Sequence, residues 1–184
     1  LKKNTKFYKS EPEYFVKKNK MNYDVIVLNN VIEHIINPKK FLKLLRSKIN
    51  NKTLILVSIP NDFSKLQKEL IKKKKVKKKY WINFPDHLSY FNNENFILFV
   101  KSLKLKVIDV ISDFPIELFL LSKDLNYVNN KKLGKIVHSL RCQTINYLYE
   151  NNNSKDVLKI LSMFAKLGIG RNNFFLIKKW KKYL

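Results

Sequence analysis

Two short stretches hold the residues best suited to chemistry. Glu33-His34 follows an apolar run that begins at Asp24, and Asp86-His87 lies inside the aromatic-rich string Asn83-Phe84-Pro85-Asp86-His87-Leu88-Ser89-Tyr90-Phe91. Of the three histidines in the chain, these stretches hold two. An imidazole beside a substrate can take a proton as a bond forms. A carboxylate with two imidazoles can instead hold a divalent cation. Each residue also has a plainer reading. Glu33 could accept hydrogen bonds from loop amides, His34 could pack where a helix starts, and the aromatics of 84–91 could be ordinary core. His138 sits in a helical pattern and reads as a surface or packing residue. Cys142 is the single cysteine, which excludes an internal disulfide and a cysteine metal cluster.

Those residues need strands and turns to bring them together. Asp24–Leu28 is a continuous apolar run of the kind buried on both faces of a parallel sheet. Asn37 then caps a helix with Pro38 at its first position, and Phe41, Leu44, Leu45 and Ile49 recur at helical spacing. Asn50-Asn51 turns the chain into a second buried strand, Thr53–Ile59, which Pro60-Asn61 stops. A strand–helix–strand passage of this length makes the two strands parallel. Beyond them the pattern predicts a helix over 62–71, a helix capped by Asn93, a strand over 106–111, helices near 131–150 and 155–166, and a short last strand over 174–177. A strand at 5–8 and a helix at 11–18 are expected before the first of these. The fold class is α/β. In an open sheet of this kind ligands sit beyond the carboxyl ends of the strands. Leu28-Asn29-Asn30 and Ile59-Pro60-Asn61 are two such ends, so Glu33, His34 and Asn61 are expected around one cleft, with His87, Phe84 and Tyr90 covering it.

The stretch DVIVLNNVIEH followed by Asn37-Pro38 resembles one segment of the class I S-adenosylmethionine-dependent methyltransferases. The later string WINFPDHLSYFNNENF resembles a second segment of the same superfamily, at the proper distance after Ile59-Pro60-Asn61. DFPIELFLL, His138-Ser-Leu-Arg141 and Gly168-Ile-Gly170-Arg171 resemble the C-terminal region of methyltransferases of bacterial surface-sugar synthesis. The resemblance implies a partial Rossmann-like sheet, mostly parallel with an antiparallel last strand, plus extra C-terminal helices. It implies methyl transfer from S-adenosylmethionine to an oxygen or nitrogen of a sugar-like or other small polar acceptor. Leu28, Asn29 and Asn30 match positions lining the cofactor pocket, while Asn61, Phe84 and Tyr90 would meet the acceptor. Glu33, His34 and His87 match residues that act on the acceptor, in some relatives through a divalent metal such as Mg. This chain has Asn30 where those metal-binding relatives carry another Glu.

The resemblance also implies something missing. No Gly-x-Gly loop precedes Tyr23, and Gly168-Ile-Gly170 lacks both the third glycine and the preceding strand of a dinucleotide loop. The expectation is therefore an N-terminally truncated domain: a remnant over 1–22, a core over 23–121, and C-terminal helices with the last strand over 122–184. Alone it would be inactive. Its first strand would carry an exposed edge, covered by the missing half or by a second copy. The formal charge of +24 favours adsorption to polyanions, yet only Arg46, Arg141 and Arg171 among 38 basic residues are arginines. Arginine is the preferred reader of phosphate and guanine, so codon bias accounts for the lysine excess better than an evolved nucleic-acid surface. A basic nucleic-acid-binding or scaffold domain is the alternative. No apolar run is long enough to span a bilayer, and a cytoplasmic setting is expected. The lysine run 72–79 reads as a solvated insertion or as a guide for acidic substrates.

Overall fold

The computed structural model describes residues 5–180. Strand β1 (Val25–Asn29) pairs in parallel with β2 (Leu54–Pro60), matching Val25 to Leu54 and Asn29 to Ser58. The last strand, β4 (Asn172–Lys179), inserts between β2 and β3 (Leu105–Ser112) and runs against both. The order is therefore β1-β2-β4-β3, with three strands pointing one way and the last pointing back. All three co-directed strands bring their carboxyl ends to one edge of the sheet.

One face of the sheet carries the main core. Helices α1 (Pro12–Lys18), α2 (Pro38–Lys48) and α4 (Asn93–Ser102) lay Val16, Phe41, Leu42, Leu45, Phe96 and Val100 on Leu28, Ile55, Val57, Phe175 and Ile177. Asn37 caps α2 as its side chain takes the Lys40 amide, with Pro38 behind it. For α4 the cap is Asn92, one residue earlier than expected, because Asn92 and Asn95 exchange side-chain and backbone hydrogen bonds as a capping box. Helix α3 (Lys65–Lys72) begins three residues later than expected. Ser64 and Gln67 form its capping box, and Asp62-Phe63 remain in a turn.

The other face is only partly covered. α5 (Gly134–Asn151) and α6 (Ser154–Leu167) follow β3, and α6 packs on it. Val25 and Val27 of β1 are left more than half exposed while Ile26 and Leu28 turn inward. The expected burial of β1 on both faces is thus corrected to burial on one. The segment 5–8 is not a strand. Within the lysine run, Val76 is buried against Leu70 and Leu120, so a small second core pins the segment while its lysines stay in solvent. No helix among the described residues is long and apolar enough to cross a membrane.

Candidate active site

β1 ends at Asn29, and Asn30 takes a left-handed backbone (φ 51°), which asparagine tolerates. Its amide donates to the Ser58 carbonyl of the neighbouring strand end. The chain then winds through a single 3-10 turn, Ile32–His34, which buries Ile32 and Glu33 and leaves His34 at the surface. The stretch 83–91 is fastened onto this turn chiefly by backbone: the amides of Leu88 and Ser89 both donate to the Glu33 carbonyl, at 2.8 and 3.1 Å. That clasp is what carries His87 to Glu33 across more than fifty residues of sequence.

The result is a compact cluster. One nitrogen from each of His34 and His87 and one Glu33 oxygen all lie within 4.8 Å of one another. The two imidazoles meet edge to face with centroids 4.9 Å apart. His34 Nδ1 is 2.7 Å from the Asp86 carbonyl oxygen, so it carries the proton there and leaves Nε2 as the acceptor. Both carboxylate oxygens of Glu33 and Nδ1 of His87 are buried without a hydrogen-bond partner. Burial pushes the Glu33 carboxyl above its ordinary range; its own backbone amide and then His34 oppose this, and Asp62 and Asp86 add to it. Leaving such atoms unpaired costs about 1–3 kcal/mol each. A cation would satisfy the unpaired atoms here, and so would a substrate donor. For a cation, two imidazole nitrogens and one carboxylate suit a borderline metal better than Mg, which asks for oxygen ligands.

The other expected residues divide. Leu28 is buried on the core face of β1, while Asn29 and Asn30 are exposed at its tip. Tyr90 sits beside His87, with centroids 6.2 Å apart, and its hydroxyl accepts the Asn83 amide at 3.2 Å. Phe84 is 77% exposed and makes no wall. Asn61 is fully buried, and its side chain donates to the carbonyls of Gly168 and Gly170, at 3.3 and 2.8 Å. Its Nδ2 braces the turn before β4, away from the Glu33 cluster, while its Oδ1 is buried without a partner.

Asp62 is the residue of the second strand end that sequence reasoning missed. Its amide donates to the Phe91 carbonyl, and its carboxylate takes Arg171 Nη1 at 2.9 Å. Arg171 Nε lies 3.8 Å from Glu117 Oε1, which also accepts from Gln67 Nε2 at 2.9 Å. Burial raises the carboxyl pKa of both Asp62 and Glu117, with Arg171 opposing. Next comes Phe63 with φ 55°, a strained conformation for a bulky residue, its ring against Trp81 and Tyr90. Lys79 Nζ lies 5.8 Å from the Phe63 ring centroid, so the lysine run ends at the rim of this site. The scarcity of arginine was the available signal for Arg171: a chain rich in lysine keeps an arginine where a planar fork is needed.

Against known proteins, the chain matches the family described as "Methyltransferase domain" over residues 2–110. No curated protein matches it. Among solved structures it is similar to a SAM-dependent methyltransferase from Archaeoglobus fulgidus, at 17% identity and TM-score 0.51, covering 94% of this chain and 66% of that one. It is also similar to an O-methyltransferase from a trans-AT PKS multienzyme of Brevibacillus brevis, crystallised with S-adenosyl-L-homocysteine: 19% identity, TM-score 0.44, covering 90% and 47%. The chain thus spans two thirds or less of the length of these structures. The fold is that of the first structure, and by the family match, which takes in the Glu33–His34–His87 cluster, this chain belongs to the methyltransferase-domain family.

Proposed function

We propose that these residues form the acceptor side of an S-adenosylmethionine-dependent methyltransferase acting on an oxygen or nitrogen of a small polar, sugar-like acceptor. The observation that carries the reading is the convergence of a buried, unpaired Glu33 carboxylate with two imidazoles beyond the strand ends. Leu28, Asn29 and Asn30 would line the cofactor, and Tyr90 would face the acceptor. In the reaction an acceptor oxygen attacks the sulfonium methyl group, the S–CH3 bond breaks, and S-adenosylhomocysteine leaves. The acceptor's proton passes to His87, whose Nδ1 has no other partner. Glu33 fits the role of holding the resulting imidazolium. Glu33, His34 and His87 would equally hold a divalent cation, which when bound lowers the pKa of an acceptor hydroxyl. β1 stands at the edge of the described sheet, where further strands or a second copy would pair with it, and its exposed valines mark a face that a helix would cover.

Calorimetric titration with S-adenosylmethionine and a radiolabelled methyl-transfer assay, both on the protein extended by its upstream coding sequence, test this reading. Replacing His87 by Ala is expected to slow methyl transfer about 100-fold or more and to leave cofactor affinity nearly unchanged. Equal losses in both would make His87 structural and end the proposal. A rate abolished by chelation and restored by Mn or Zn assigns the cluster to a metal; an unchanged rate assigns it to the base. Absence of cofactor heat together with salt-sensitive RNA binding would favour the basic binding domain, for which the exposed lysines of 72–79 are the supporting feature.

A further inference from the structure

A cavity opens at the far end of the same sheet edge from the Glu33 cluster. It holds about 390 Å³ between the ends of β3 and β4 and helices α5 and α6. Three strand spacings separate β1 from β3, about 14 Å, so this cavity is distinct from the Glu33 cluster. Its walls are apolar and partly aromatic: Ile111, Phe114, Ile145, Tyr149, Leu161 and Phe174. That volume and lining suit a small organic ligand. The charged groups, Asp113 and Arg141, belong to the same lining.

These two charges are not equivalent. Asp113 is already spent: Oδ1 accepts the amides of Arg171 and Asn172, both at 2.8 Å, and Oδ2 accepts Asn172 Nδ2 at 2.8 Å. Arg141 is not. Its side chain is 27% exposed, and its nearest carboxylate oxygen, on Asp113, is 3.8 Å away, beyond hydrogen-bond reach. One further contact, 3.2 Å from Nη2 to His138 Nδ1, uses a single donor. Apart from this loose ion pair with Asp113, the remaining N–H groups of the planar fork have no hydrogen-bond partner among the described residues. Only three of 38 basic residues are arginine, and one of the other two, Arg171, grips two buried carboxylates. An arginine kept in such a chain, facing an apolar cavity, matches a carboxylate or phosphate bidentately in a way lysine does not.

We infer that this cavity binds a small anion with an apolar body, its carboxylate or phosphate held by Arg141 and its ring or chain seated among Phe114, Tyr149 and Phe174. Cys142, the chain's single cysteine, lines the same cavity and reports on its occupancy. The test follows alkylation of Cys142 in the full chain by iodoacetamide, with phenyl phosphate or octanoate as probe and inorganic phosphate as control. Phenyl phosphate or octanoate is expected to slow alkylation saturably, and inorganic phosphate to leave it unchanged. The better protector decides between a ring-bearing phosphate and a chain-bearing carboxylate. Arg141→Ala should raise the half-protecting concentration about tenfold, with Arg141→Lys between the two. Ile145→Trp, which fills the cavity without touching the charge, should abolish protection. No slowing by either probe overturns the inference, as does protection undiminished in both Arg141→Ala and Ile145→Trp. None of these readouts depends on methyl transfer.

Discussion

Two groups of buried carboxylates flank the end of β2, and they are built on opposite terms. Asp62 and Glu117 share Arg171, and Gln67 adds a hydrogen bond. Glu33, just as deeply buried, has no arginine or lysine beside it and no hydrogen bond of ordinary geometry on either oxygen among the described residues. Burial alone pushes all three carboxyls the same way, upward. What differs is whether the fold supplies a counter-charge. Where it does, the charges tie distant segments: Asp62 follows β2, Glu117 lies in the 3-10 segment after β3, and Arg171 sits just before β4. Where it does not, both oxygens stay buried without a hydrogen-bond partner, whereas in the first group only Oε2 of Glu117 does. The first group is a fastening and the second is the candidate site.

The sharpest way to break this contrast is to remove the shared cation. Arg171→Met leaves two buried carboxylates facing each other without it, and removing one partner of a buried pair costs about 3–5 kcal/mol. Denaturant unfolding should show that loss; a change below 1 kcal/mol would make the network no better than a surface pair. The next largest effect belongs to Gly170, which sets Arg171 in place. A Cβ there would stand 2.2 Å from Ser112 Cβ and 2.8 Å from the Asp113 carbonyl oxygen, so β3 and the start of β4 approach only over a glycine. Gly170→Ala should cost about 1–3 kcal/mol through forced backbone movement, read in the same unfolding experiment. If Gly170→Ala also lowers the m-value, the two strand ends have separated.

Most of the sheet was legible because its signals are local. Apolar runs marked β1 and β2, and Asn37-Pro38 marked the start of α2. The direction of the last strand followed the resemblance. The order of the strands was not legible, since nothing in residues 172–179 says that they insert between β2 and β3. Neither was the uncovered face of β1: Val25 and Val27 are as apolar as Ile26 and Leu28, and only missing neighbours distinguish them. In the site, Glu33, His34 and His87 were readable by type and by resemblance, and backbone bonds from 88 and 89 to Glu33 bring them together. Asn61, expected at the acceptor, has its Nδ2 engaged elsewhere in the fold. The strand end does reach toward the cluster, but through Asp62, while the Asn61 amide faces the turn at 168–170. Long-range partners such as Asp62 with Arg171 leave no local pattern, which is why that network was missed.

The contrast can be sharpened at Glu33 with a smaller change. The buried carboxyl holds its proton to higher pH than the same group in the unfolded chain. As pH rises from the ordinary glutamate range through the raised folded value, the unfolded state ionises first and stability is lost. Above that window the full cost is present; below it both states are protonated and the cost vanishes. Glu33→Gln removes the charge and keeps the shape. It should therefore raise the stability of the isolated protein near neutral pH by about 1 kcal/mol, or roughly 2–4 °C in Tm, with the gain shrinking to nothing in acid. Arg171→Met should show the opposite pattern, destabilising most at neutral pH and least in acid, because there the loss comes from carboxylates deprived of their cation. Thermal melts of both variants from neutral pH down into acid would read the two profiles side by side. A Glu33→Gln variant less stable than the parent at neutral pH would mean that the carboxylate has a partner within the fold, and the cluster would then belong with the fastening it is contrasted against.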